Sequence, residues 1–331
     1  MEFTKIKNID QEASRICLGT WSMGGWLWGG SDKKQCIKTI YKAIDLGINI
    51  IDTAPVYGFG LSEEIVGEAI SETGSRHEII IATKAGLEWN KGNVFRNSSI
   101  ERILKEIDDS LKRLRTDYID LYQIHWPDPL VPIEETAELM SSLLKEGKIR
   151  SVGVSNYSPE QMKLFMNESE LHTSQPPYNL FERGIDTDVL PYCKENGITM
   201  LLYGVLCRGL LSGKLKTDSE FKGDDIRNFD PKFKDDVFKS YLTAVENLNS
   251  FARDTFGKNV LHLSVRWVLD SCKQDIALWG ARNPEQLSEV NQITGWSIDS
   301  DLMINIERII NDVVKTPIGP EFMAPGPRPG V

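Results

Sequence analysis

The sequence predicts an α/β fold, a single-domain (β/α)8 barrel over residues 1–331, and three observations predict it. Short apolar runs alternate with amphipathic runs along the chain, as in parallel strands joined by helices. Eight such runs can be counted, and most are followed by a helical pattern. They occupy Cys17 to Gly280, close to the ~250 residues of such a barrel. At about 150 residues per domain the length alone suggests two domains, but α/β barrels fill one. A doubly wound open sheet is the alternative fold.

The elements follow in order. An N-terminal hairpin precedes the first strand, Ile16-Cys17-Leu18. Ile37, Ile40 and Ile44 recur at helical spacing, with Gly47 where a C-cap belongs. Ile48-Asn49-Ile50-Ile51 is the second strand and ends at Asp52; Ile79 to Thr83 is the third and ends at Lys84. A helix follows, with Ile100, Ile103, Leu104, Ile107, Leu111 and Leu114 on one face and Ser98 with Glu101 as a capping box. Tyr118 to Ile124 is the fourth strand and ends at His125. Pro132 opens a helix carrying Leu139, Leu143 and Leu144, and Gly147 stops it. Ser151 to Ser155 is the fifth strand, and Ser158-Pro159-Glu160 opens the next helix. Strands six to eight are a weaker run from His172 to Gln175, then Thr199 to Tyr203, then Ile276 to Trp279. Gly280 and a helix start at Asn283-Pro284-Glu285 follow the last of them. Thr217 to Asp236 reads as a long, charged loop, a kind that is often functional. The tail from Thr316 to Val331 is rich in Pro and Gly, and reads either as a loose terminus or as a lid near the barrel mouth.

Composition narrows the function. The chain carries 38 basic and 48 acidic side chains, a net charge of −10, which argues against a nucleic-acid partner. No run reaches the ~18 apolar residues of a membrane span, and the first residues lack a signal-peptide pattern. The five cysteines include no C-x-x-C pair and read as reduced thiols. A cytoplasmic protein acting on a small molecule is expected, with no membrane partner.

Several familiar motifs fail. Gly58-Phe59-Gly60 opens like a dinucleotide fingerprint, but Glu63 stands where the third Gly must be. Gly204 to Gly209 has phosphate-loop spacing, but Leu210-Leu211 replaces the Lys and hydroxyl residues. Gly153 to Tyr157 lacks the closing Gly of a nucleophile elbow. His77, His125, His172 and His262 show no metal-ligand spacing, so no metal is expected.

The informative residues lie at strand ends. Asp52, Lys84 and His125 each end a different strand, and Tyr57 follows Asp52 on its loop. In a barrel these ends converge on the mouth where active sites are built. A free Tyr has a pKa of about 10, and an adjacent Lys ammonium favours its anion and lowers that value. Asp52 would hold the ammonium, His125 would orient a substrate oxygen, and Tyr57 would act as general acid. Trp21, Trp26, Trp28, Trp89 and Trp126 fall on loops after strands, where they either line an aromatic pocket or pack those loops together.

These residues carry a resemblance. Ile51-Asp52-Thr53-Ala54-Pro55-Val56-Tyr57-Gly58 with Ser62-Glu63, and Gly147 through Tyr157, resemble the two hallmark motifs of the aldo-keto reductase superfamily. Ala82-Thr83-Lys84 and Gln123-Ile124-His125 resemble its Lys and His motifs. The resemblance implies a catalytic tetrad of Asp52, Tyr57, Lys84 and His125, and NADPH bound without a Rossmann domain. It implies that Ser155, Asn156 and Gln175 hold the carboxamide and that Tyr203 stacks on the nicotinamide. Gly204, Leu206, Cys207, Arg208, Gly213 and Lys214 would grip the diphosphate, with Thr20, Trp21 and Asp52 also at the cofactor. Gly280, Arg282, Gln286 and Glu289 would clamp the adenosine end, where the planar fork of Arg282 suits a 2′-phosphate. Gly204-Val205 stands where the family often has Ser-Pro, and Val290 where it often has Asn. The implied activity is reduction of aldehydes and ketones with NADPH. The alternatives are a cofactor-binding regulatory subunit resembling potassium-channel beta subunits, and an NAD-dependent alcohol or sugar oxidation.

Overall fold

A computed structural model describes residues 1–329; Gly330 and Val331, the end of the tail and of the domain read over 1–331, lie outside the described residues. Eight parallel strands close into a barrel in chain order. They are β1 (Ile16–Gly19), β2 (Ile50–Asp52), β3 (Ile80–Ala85), β4 (Ile119–Ile124), β5 (Ile149–Ser155), β6 (Thr173–Gln175), β7 (Thr199–Leu202) and β8 (Ile276–Gly280). The helices between them are α1 (Lys33–Asp45), α2 (Leu61–Thr73), α3 (Ile100–Leu114), α4 (Ile133–Lys145), α5 (Pro159–Met166) and α6 (Val189–Asn196). Between β7 and β8 the chain forms α7 (Asp235–Phe256) and α8 (Val260–Ser271), and α9 (Ser300–Val313) follows β8. No helix among the described residues is long and apolar enough to cross a membrane. All five cysteines are free and buried.

Strand alternation sorts the core into layers. Cys17, Ile50, Ile80, Ala82, Leu121, Leu201, Ile276 and Leu278 form a cluster inside the barrel. Their neighbours Leu18, Ile51, Ile81, Tyr122, Val154 and Ala277 belong to the cluster between barrel and helices. Successive side chains of a strand point to opposite faces, which separates the two sets. The N-terminal hairpin pairs Phe3–Thr4 with Ala13–Ser14, and its Ile6, Ile9 and Ala13 join the inner cluster. Asp52, Lys84, Gln123 and Gln175 continue the inward positions toward the C-terminal strand ends, where the cluster gives way to polar groups.

Four readings are corrected. Asn49 is not in a strand: its side chain and backbone bond Ser14, tying the N-terminal hairpin to the barrel. The cap of α3 is Ser99, whose side chain accepts from Arg102 N, and not Ser98. On α3, Ile103, Ile107 and Leu114 are buried, whereas Ile100 and Leu104 are exposed, because only the stripe facing β3 and the neighbouring helices is covered. Asn283 caps a single 3₁₀ turn, Pro284–Leu287, rather than a longer helix.

Candidate active site

The loop between β2 and α2 carries Tyr57, and its course is set by small residues and buried hydroxyls. A Cβ on Gly24 would lie 2.4 Å from Tyr57 C, and one on Gly58 would lie 2.1 Å from Gly24 O. Only glycines let these two backbones pass so closely. Beneath them, Ser62 Oγ meets Thr20 Oγ1 at 2.8 Å and Thr53 Oγ1 at 3.0 Å. Thr20 is tied in turn to the backbone oxygen of Asp52 at 2.9 Å.

Two carboxylates from the outer helices hold β3 and the residue after it, Gly86, on either side of Lys84. Glu63 accepts from Thr83 Oγ1 at 2.6 Å and from Arg113 at 2.7 Å. This explains Glu63 where a nucleotide fingerprint would need Gly. Glu106 accepts from Gly86 N at 2.7 Å and from Arg102 at 2.9 Å. Burial pushes the Glu106 carboxyl up to about 7, against the pull of Arg102. A value raised by folding means that this group's contribution to stability is fully present below the ordinary carboxylate range and is lost as pH rises through about 7. Glu106→Gln removes that titration, so its melting temperature should fall less than the wild type's between about pH 5 and about pH 8. Equal slopes in the two proteins would reject this.

At the centre, Lys84 is fully buried and Asp52 nearly so. Lys84 Nζ lies 2.7 Å from Asp52 Oδ1, 2.9 Å from Thr53 O and 3.3 Å from Tyr57 OH. The His125 ring stands edge-on to Tyr57 with centroids 5.8 Å apart. The Trp21 ring stacks against Tyr57 with centroids 6.1 Å apart. All four residues of the expected tetrad therefore meet. One expectation is corrected: the Tyr57 hydroxyl is held well above its ordinary value, first by burial and then by the charge of Asp52. The physical reason is that Asp52 matches the Lys84 ammonium, so no net positive charge offsets the desolvation of a phenolate. Burial, followed by the Lys84 charge, holds His125 well below the usual histidine range, so its ring is neutral.

A cavity of about 690 Å³ opens above these groups. Of the residues expected at a cofactor, Thr20, Trp21, Asp52, Ser155, Asn156, Gln175, Tyr203, Gly204, Leu206, Arg208, Lys214, Gly280, Arg282 and Gln286 border it. Cys207, Gly213 and Glu289 are not among its lining residues. The Cys207 thiol is buried, and Glu289 instead holds Asn259 and His262. Arg208 borders the cavity, but its guanidinium pairs with Asp230 at 2.6 Å and with Glu182, so its charge is committed inside the fold. Arg282 donates to the carbonyl oxygens of Trp28 at 2.8 Å and Gly30 at 2.6 Å. Asn156, at φ 62°, donates to His125 O and accepts from Tyr203 OH at 2.9 Å, linking the ends of β4, β5 and β7.

Trp21, Trp26, Trp28 and Trp126 line the cavity, whereas Trp89 packs against Phe59. Sequence reasoning missed two parts of the wall and left a third, the tail, open between a loose terminus and a lid. The hairpin Leu87–Asn90 with Asn93–Arg96 supplies Leu87 and Val94. Asp224 accepts from Leu27 N at 2.8 Å and Gly29 N at 3.1 Å, clasping the loop after β1 to the loop after β7. The tail crosses the mouth: Lys232 Nζ donates to Gly319 O, Gly326–Pro327 pairs with Phe95–Arg96, and Phe322, Met323 and Pro325 face the cavity. The charge of the loop after β7 carried no signal of what it touches, and of the two readings of the tail its place at the mouth fits the lid.

Comparison with known proteins follows from this geometry. A family profile described as "Aldo/keto reductase family" matches residues 15–311. The chain is 57% identical over 328 residues, 99% of each chain, to the aldo-keto reductase YhdN of Bacillus subtilis (strain 168). It is 35% identical over 304 residues to a protein of Escherichia coli (strain K12) named NADH-specific methylglyoxal reductase, covering 87% of this chain and 92% of the other. A solved glycerol dehydrogenase from Gluconobacter oxydans superimposes with a TM-score of 0.88 at 49% identity, covering 97% of this chain and 99% of that one. An aldo/keto reductase from Klebsiella pneumoniae, solved in complex with NADP and acetate, superimposes with a TM-score of 0.71 at 25% identity, covering 93% and 95%.

Proposed function

From the premise that the chain belongs to the aldo/keto reductase family and is an oxidoreductase, we propose that it reduces aldehydes and ketones to alcohols with NADPH, Tyr57 serving as general acid. The observation that carries this reading is the hydroxyl of Tyr57, a residue that lines the cavity, 3.3 Å from the fully buried Lys84 ammonium.

The donor set fits a nicotinamide dinucleotide. Ser155, Asn156 and Gln175 offer hydroxyl and amide groups for a carboxamide, and Tyr203 offers a ring face. The backbone at Gly204 and Leu206, with the Lys214 side chain, suits a diphosphate, and Arg282 with Gln286 suits the adenosine end. When bound, the reduced nicotinamide supplies a hydride for the carbonyl carbon. The remaining chemistry belongs to the chain. Tyr57 holds its proton tightly and delivers it to the carbonyl oxygen as negative charge develops there. Lys84 donates to the same Tyr57 oxygen and stabilises the phenolate left behind, while Asp52 keeps the ammonium in place. Neutral His125 donates one N–H to the carbonyl oxygen and aligns it. Trp21, Trp26, Trp28 and Trp126 give the cavity an apolar wall beside the reacting groups.

NADPH is favoured over NADH by Arg282, which needs only to leave the carbonyl oxygens of Trp28 and Gly30 to meet a 2′-phosphate. Arg282→Ala should weaken NADPH by ~1.5–3 kcal/mol, the worth of a charge-assisted bond, and leave NADH nearly unchanged. Titration of protein fluorescence with both cofactors checks this, and equal NADPH affinity in the two proteins rejects the clamp. Assay of both cofactors against aldehydes, ketones and sugars tests the reaction itself. The likeness to a glycerol dehydrogenase supports a second reading, oxidation of a polyol, which the same assay run in reverse detects.

A further inference from the structure

Asp52 is bonded at both oxygens, and only one bond comes from the tetrad. Oδ1 accepts from Lys84, while Oδ2 accepts from Gln175 Nε2 at 2.8 Å and from Gln123 Nε2 at 3.4 Å. Gln175 Nε2 also lies 3.4 Å from Gln123 Oε1. Gln123 is fully buried, stands opposite Lys84 in the β3–β4 register, and stands opposite Gly153 across β4–β5. Gly153 in turn faces Thr173 of β6. A Cβ on Gly153 would come within 2.8 Å of Gln123 Cγ and 2.2 Å of Thr173 Oγ1. The bare backbone of β5 is what lets a side chain from β4 reach one from β6.

We propose that Gln123 is a positioning residue: it joins Asp52 and Gln175 in one hydrogen-bonded set, aiming Asp52 at Lys84 and turning the Gln175 carbonyl oxygen toward the cavity. With its amide nitrogen bonded to Asp52 and Gln123, Gln175 leaves Oε1 without a protein donor among the described residues, as an acceptor for an incoming amide. Gln123 is neutral, so it adds a donor to the carboxylate without competing with Lys84 as its counter-ion. Individually the 3.4 Å contacts are weak, but Gln123 is fully buried, so solvent does not compete for its amide.

The kinetic arm of the test rests on the reductase reading; the melting arm does not. Gln123→Met keeps the shape and removes both hydrogen-bonding functions. It should lower kcat for carbonyl reduction by about tenfold and leave the carbonyl KM within about twofold. Gln123→Glu places a second carboxyl against Asp52 Oδ2, and two such groups share one proton. Its activity should approach wild type at acid pH and fall below that of Gln123→Met as pH rises. In the free protein, without cofactor or turnover, the melting temperature of Gln123→Glu should drop against that of Gln123→Met over the same rise. Wild-type kinetics in Gln123→Met overturn the proposal, as do parallel pH dependences of melting in the two variants. If the wild type turns over no carbonyl, the reductase reading fails and the melting series still decides the role of Gln123. If Gln123→Met does not fold, the pH series of Gln123→Glu against wild type decides it in the same way.

Discussion

Tyr57→Phe should leave the protein folded and able to bind NADPH, yet lower kcat for carbonyl reduction by ~10²–10⁴-fold, the range contributed by a positioned general acid. The substitution removes one oxygen and keeps the ring that Trp21 and His125 pack against. The proton that Tyr57 delivers has no other source within the polar layer. Lys84 is buried behind it and bonded to Asp52 and Thr53, and His125 is neutral and presented edge-on. Cofactor titration separates binding from chemistry, and turnover within about tenfold of wild type would remove Tyr57 from the acid role. The elevated proton affinity of Tyr57 gives this prediction a pH signature: no loss of activity from ionisation of Tyr57 across the neutral range.

Lys84→Met should be the most destabilising single change in the site. Lys84 and Asp52 are 2.7 Å apart and both buried, so removing the ammonium leaves a carboxylate with amide donors alone. Breaking a buried pair in this way costs ~3–5 kcal/mol, measurable as a lower midpoint of urea unfolding. Lys84→Met combined with Asp52→Asn should recover most of that loss, because the second change removes the charge left behind. Activity should not recover, since Tyr57 still lacks its donor. A single variant as stable as wild type would mean that Asp52 is solvated and that the layer is not closed to water.

Much of this site was legible because a strand repeats every two residues. In β3, Ala82 and Lys84 share the inner face and Thr83 the outer, so a polar residue two steps past an apolar inward one is bound to face the mouth. The same rule places Asp52 after Ile50 and Gln123 after Leu121. Capping chemistry was equally local at Ser158, which caps α5 with Gln161 as its box partner. It was ambiguous at Ser98 and Ser99, where adjacent hydroxyls compete and the backbone amide of Ser98 is taken by Asp128.

Charge was the least legible property. Arg208 lies within a run that resembles a phosphate-gripping loop, yet its guanidinium is satisfied by Glu182 and Asp230 from two other segments. Nothing near Arg208 in the chain foretells that sink. The Tyr57 hydroxyl shows the same limit: a neighbouring Lys predicts a lowered value, and the depth of burial, followed by the charge of Asp52, reverses it.

By itself, then, the sequence determined the barrel, the strand ends that build its mouth and the four residues that meet there, because periodicity and motif spacing are written over a few neighbouring residues. Only the tertiary structure decided the tail across the mouth, the clasp of Asp224 on Leu27 and Gly29, the neutralisation of Arg208, and the joining of Gln123 and Gln175 above Gly153. Those contacts unite residues far apart in the chain. They exist only once closure of the sheet brings the loops to one end and burial sets which charges must find a partner.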